Sequence, residues 1–187
     1  MKKSIFMSFL VGLFLLSFQV FSKSYLQFYN THTSETFSGA YKDDSGNYIP
    51  EALEKINYIL RDHRTNEVHA IDVHLLDVLS EISSGLSKDL KSIWFHVISG
   101  YRSPATNNLL RKKSKGVYDK SAHMKGRAID IRVPGIPLKI LLNKAASLKK
   151  GGVGYYPDSN FIHVDIEKVK SWGPFSAIMC EDKNRSI

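Results

Sequence analysis

The chain has 187 residues, 43% of them apolar and 24% charged, a balance that fits one folded domain and excludes wholesale disorder. Its single cysteine, Cys180, excludes an internal disulfide and any zinc ribbon or iron–sulfur cluster built from several thiolates. Twenty-six basic against 18 acidic side chains give a net charge of +8, which points to an anionic partner without naming one.

In chain order, Lys2 and Lys3 precede an apolar run over 5–21 that ends at a small residue, Ser22. A positive flank, an apolar stretch and a small residue at the boundary predict a secretory signal peptide over 1–22. The same run, if uncleaved, is just long enough to serve as a membrane anchor. Either way the remainder, 23–187, is expected as a single exported domain in the periplasm or cell envelope. Without Lys2 and Lys3 it keeps 24 basic against 18 acidic groups, or +6. For an exported protein this charge fits a cell-wall polymer or anionic lipid better than nucleic acid, and a monomer is expected. The membrane enters only through the N-terminal segment.

Residues 25–29 and 36–42 read as two short strands of a hairpin. Pro50 opens a helix over 51–61, with Leu53, Ile56, Ile59 and Leu60 on one apolar stripe. Asp72 caps a second helix, in which Leu75, Leu76, Leu79 and Ile82 repeat that spacing up to Gly85. A β-branched and aromatic run over 93–99 predicts a strand ending at Gly100. A helix over 105–113, a polar loop over 114–121 and a strand over 127–133 follow. A helix over 138–149 and two strands, 152–156 and 161–166, joined by a turn at 157–160, complete the pattern. Helices first and then a mostly antiparallel sheet make an α+β fold, with the helices on one side of the sheet.

Two of these strands carry polar residues where a buried strand would not. Alternation puts Ile129, Ile131 and Val133 on one face and Ala128, Asp130 and Arg132 on the other. It likewise separates Ile162, Val164 and Ile166 from Phe161, His163 and Asp165. Placed side by side, the strands gather Asp130, His163 and Asp165 in one patch. Gly126 lets the preceding loop fold back and bring His123 to the same point. Two imidazoles and a carboxylate suit a catalytic zinc with an open fourth position. A histidine or aspartate on a strand is more commonly a hydrogen-bonded structural residue, so spacing alone leaves the zinc reading open.

The string Ser121-x-His123-x-x-Gly126-x-Ala128-x-Asp130, followed by a distal His163, resembles the motif of zinc peptidases that cleave D-amino-acid bonds in peptidoglycan. That superfamily shares its fold with hedgehog signalling domains and includes D-alanyl-D-alanine peptidases. Further segments resemble its murein endopeptidase K-like branch. They are Phe28-Tyr29-Asn30-Thr31-His32-Thr33, Tyr48-Ile49-Pro50-Glu51-Ala52-Leu53, Arg61-Asp62-His63-Arg64, Ser99-Gly100-Tyr101-Arg102-Ser103-Pro104 and Gly151-Gly152-Val153-Gly154-Tyr155-Tyr156-Pro157.

The resemblance implies one zinc ion per chain, held by His123, Asp130 and His163. It implies that Arg102 binds a substrate carboxylate or steadies the oxyanion, a role that guanidinium chemistry suits. Ser121 is expected to orient a ligand or its loop, and Tyr101 and Tyr155 to line the substrate groove. Relatives carry a general base two or three residues before the distal histidine, where this chain has Phe161 and Asn160. Asp165, on the same strand face as His163, is therefore expected as the base, with Asp158 in reserve. The implied reaction is hydrolysis of peptidoglycan cross-links, between diaminopimelate residues. Alternatives are a D-alanyl-D-alanine carboxypeptidase and a zinc-containing wall-binding module without turnover.

Overall fold

The computed structural model describes residues 24–87, 89–113 and 118–174. The expected signal segment, part of the polar loop over 114–121, and Cys180 lie outside the described residues.

The chain opens on the hairpin β1 (Tyr25–Asn30) and β2 (Thr36–Ala40), followed by helices α1 (Pro50–Ile59) and α2 (Val73–Leu86). Strand β3 (Phe95–Ser99), helix α3 (Pro104–Lys113) and strand β4 (Ala128–Arg132) come next. Helix α4 (Leu138–Ser147) then leads to β5 (Gly152–Tyr156), β6 (Phe161–Asp165) and β7 (Lys170–Trp172). The strands form one sheet in the order β2-β1-β3-β4-β6-β5-β7. Pairing is antiparallel except for β1 with β3 and β5 with β7, so the α+β expectation of a mostly antiparallel sheet holds.

One sheet face is apolar because the aliphatic residues fall at every second position. Leu26 and Phe28, Phe95 and Val97, Ile129 and Ile131, Ile162 and Val164 are all buried there. Ala52, Ile56 and Ile59 of α1, Leu75, Leu76 and Leu79 of α2, and Leu141 and Leu142 of α4 belong to the same core. Each fully buried aliphatic or aromatic side chain contributes about 1.5–3 kcal/mol, which sets the strand register firmly. The other face, left open by those helices, presents Tyr29, His96, Arg132, Asp130 and His163.

The helix starts follow the expected chemistry. Pro50 occupies the first turn of α1, and the Asp72 carboxylate accepts the His74 N–H at 3.0 Å to cap α2. The end of α1 differs from the expected 61. Arg61 leaves the helix because its guanidinium pairs with Glu35, its Nη1 and Nη2 donating at 2.7 and 3.1 Å. Its Nε donates to Asn66 at 2.6 Å. Tertiary ion pairing there outweighs helix propensity. Strand β7 and a 3-10 turn at Ala122–Lys125 have no counterpart in the sequence pattern.

Candidate metal centre

The pairing of β4 with β6 sets Asp130 directly opposite His163 and Ala128 opposite Asp165. His123 reaches them from the 3-10 turn, which closes on Gly126 in the left-handed conformation (φ 65°). A side chain at Gly126 would be strained there and would also strike the Ala70 carbonyl. The turn is laced to the loop after β3. His123 Nδ1 donates to the Gly100 carbonyl at 2.8 Å, and the Arg102 N–H donates to the His123 carbonyl at 3.2 Å.

These bonds decide which atoms converge. With Nδ1 of His123 spent, its Nε2 lies 3.1 Å from His163 Nδ1 and 3.3 Å from Asp130 Oδ1. His163 Nδ1 is 2.9 Å from the same Asp130 oxygen. Two tetrahedral ligands at typical zinc bond lengths of about 2.0–2.1 Å stand about 3.3 Å apart. The set therefore has the donor types and nearly the spacing that a small divalent ion requires. Among the described residues, His123, Asp130 and His163 form the one His/Cys/Asp/Glu group of three able to hold a metal ion.

The electrostatics are those of a ligand set. Burial pushes the His123 imidazole below its usual pKa despite Asp130 beside it, which favours the neutral ligating form. Burial also works against charge on His163, but hydrogen bonds that it donates to Asp130 and Asp165 outweigh it and lift its pKa to about 9. Asp130 would rise on burial, yet the two histidines hold it far below the normal carboxylate range.

Asp165 stands elsewhere than the sequence reading expected. Its Oδ2 is 3.1 Å from His163 Nε2, the ring nitrogen facing away from Asp130. Its Oδ1 accepts the N–H groups of Gly152 at 2.8 Å and Glu167 at 2.9 Å. Alternation correctly put Asp165 on the site face, but the His163 ring stands between its carboxylate and the ligand cluster. Asp158, the reserve, is exposed in the turn between β5 and β6.

Arg102 is buried next to the cluster, with Nη2 3.5 Å from Asp130 Oδ2 and 3.4 Å from the Ser99 hydroxyl. Its Nε is buried without a partner, so its donor capacity is far from spent. Ser121 is buried and opens the 3-10 turn, its carbonyl accepting the Met124 N–H at 3.1 Å, while its side chain makes no capping bond.

The two tyrosines expected to line the groove both have packing partners away from the ligand cluster. Tyr101 is buried and stacks on His69 with centroids 4.6 Å apart. Tyr155 packs against the hydrophobic core on the same strand face as Val153. The side chains that flank the cluster are Tyr156 and Trp172, which the sequence reading missed. Trp172 lies 5.2 Å from the His163 ring and donates Nε1–H to the Tyr156 hydroxyl at 2.9 Å. Val153 belongs to the core, so alternation along 152–156 would have assigned Tyr156 to the site face. Nothing in the sequence pattern announced β7, and Trp172 with it.

Residues 20–172 match the family model described as peptidoglycan L,D-endopeptidase MepK. The chain belongs to that family. A probable peptidoglycan L,D-endopeptidase MepK of Haemophilus influenzae is 45% identical over 147 residues, covering 79% of this chain and 77% of that protein. The peptidoglycan L,D-endopeptidase MepK of Escherichia coli K12 is 44% identical over 143 residues, 76% of each chain. The Shigella flexneri protein of the same name matches to the same extent. Membership bears out the resemblance carried by the quoted motifs and places the chain among peptidoglycan-hydrolysing peptidases.

Proposed function

We propose that this protein is a zinc-dependent endopeptidase that hydrolyses peptide cross-links in peptidoglycan, at bonds joining diaminopimelate residues. One observation carries the zinc assignment: both histidines have their non-converging ring nitrogen tied, to Gly100 and to Asp165, leaving one nitrogen each for an ion beside Asp130. When bound, zinc supplies Lewis acidity at an open fourth position.

The chain's own residues supply the rest. Arg102, fixed by its loop's bond to His123, presents unspent donors to a carbonyl oxygen gaining charge or to a substrate carboxylate. Asp165 accepts the Nε2–H of His163 in a hydrogen bond and so leaves Nδ1 as the ring nitrogen for a metal. We read Asp165 as a positioning residue and not as the proton acceptor, because both its oxygens are committed. Ser121 shapes the turn that delivers His123. Tyr156 and Trp172 wall the groove beside the His163 ring.

The site of action is proposed as the cell envelope, on the basic flank and apolar run over 1–21. Among the described residues no helix is long and apolar enough to cross a membrane. Digestion of purified sacculi tests the reaction. Cross-linked dimers falling to monomers support the endopeptidase. Release of free D-alanine alone would make it a carboxypeptidase, and retention on sacculi without fragments would make it a binding module.

A further inference from the structure

The segment Arg61-Asp62-His63-Arg64 leaves α1 and is tied to the loop that carries Arg102, and its first two members are internally satisfied. Arg61 pairs with Glu35. Asp62, 2% exposed, accepts the Arg64 N–H at 2.9 Å on one oxygen and the Ser103 N–H at 2.8 Å on the other. One buried carboxylate thus clamps the start of the Arg64 loop to the loop that carries Arg102.

The last two members have no such partners. His63 stacks flat on His32, with centroids 3.7 Å apart and planes at 12°. His32 is fixed in turn by the Asn30 side chain at its N–H and by the Ile98 carbonyl at Nε2. Burial first, then the charges of His32 and Arg64, push the His63 pKa down to about 4, so this wall is neutral at neutral pH. Arg64 is exposed, and no carboxylate among the described residues forms an ion pair with it. Its N–H shares the Asp62 carboxylate with that of Ser103, the residue after Arg102, so the two arginines lie on loops tied to each other. Asp130, the one carboxylate among the described residues that pairs with Arg102, is already shared with two histidines. Two arginines on loops tied together with so little counter-charge suit an incoming anion.

We propose that Arg64, on a loop that Asp62 clamps to the Arg102 loop and next in the chain to the His32–His63 stack, is a specificity residue that binds a free carboxylate on the peptide flanking the scissile bond. The inference rests on the wall-peptidase reading and deepens it: the substrate is acidic next to the bond as well as at it. Arg64 selects for that carboxylate, whereas the ligand cluster and Arg102 act at the bond itself.

Synthetic cross-linked tetrapeptide dimers, with the flanking carboxylates free or as carboxamides, test this with zinc-loaded full-length protein. The wild type should show a KM about tenfold lower on the free acid, the scale of one charge-assisted hydrogen bond. Arg64→Gln should raise KM on the free acid about tenfold, leave kcat and the carboxamide KM unchanged, and keep one zinc per chain. Arg64→Lys should recover part of the difference. Equal loss on both substrates would make Arg64 a structural residue, and no change on either would remove it from the groove. If the wild type cleaves neither dimer, the peptidase reading fails. Calorimetric binding of the same two dimers then decides the subsite independently, with a tenfold preference for the acid supporting it and equal affinity overturning it.

Discussion

At the residue scale, His163 depends on what sits behind it. Asp165 Oδ1 takes two backbone N–H groups, which fixes Oδ2 as the partner of His163 Nε2. An asparagine at this position must aim its oxygen at those amides and its NH2 group at the imidazole. That selects the tautomer with a proton on Nδ1, the atom the metal needs free. Asp165→Asn is therefore expected to weaken zinc affinity about 10–100-fold together with activity, measured by chelator competition. Unchanged affinity with lost turnover would return Asp165 to the role of proton acceptor. Asp62 provides a second test. Burial alone would raise its pKa, but its hydrogen bonds hold it down at about 2. A depressed carboxylate stabilises the fold above its unfolded pKa of about 3.9 and loses that contribution as pH falls through about 2. Wild type should thus lose more stability than Asp62→Asn between about pH 4 and pH 2, followed by denaturant unfolding. The meeting of Asp130 and His163 was legible because strand alternation is strict, and that of His123 because Gly126 folds its turn back. Tyr155 was misassigned because adjacent tyrosines look alike until Val153 fixes which face is the core.

At the element scale, the glycines of strand β5 answer to neighbours and not to turns. A Cβ on Gly154 would lie 2.6 Å from the indole of Trp172, and one on Gly152 would strike the Asp165 carboxylate. The flat strand lets β7 lay Trp172 against His163 and lets Asp165 approach the backbone. Gly154→Ala should push Trp172 off the groove, lowering cleavage about tenfold or more while zinc content stays near one per chain. Wild-type activity in that variant would detach Trp172 from the groove wall. The helices and six of the seven strands were legible from periodicity and turn residues. Strand β7 was not, since three residues at a sheet edge carry no periodic signal. The early end of α1 was hidden too, because Arg61 answers to Glu35, far away in the sequence.

At the scale of the whole molecule, the positive balance has a location. Arg132 stands on the open sheet face and Arg102 beside Asp130 there, while Lys42, Arg127 and Lys150 are paired with acids elsewhere. Attraction of an acidic wall to that face is screened over about 8–10 Å at physiological salt. Retention on sacculi should fall several-fold as salt rises from about 0.05 to 0.5 M, and retention independent of salt would count against the charge argument. The lone cysteine shaped the outcome more than the charge did. With thiolates scarce, a metal site had to come from imidazole and carboxylate, and the sheet brings together such a set at Asp130 and His163. The most direct test of that centre is a zinc titration of chelator-stripped protein, reading cleavage of cross-linked muropeptide dimers. Cleavage should be absent without metal, rise to a break at one equivalent, and stay absent in His123→Ala and His163→Ala. Cleavage that persists in stripped protein or in either variant would contradict the account.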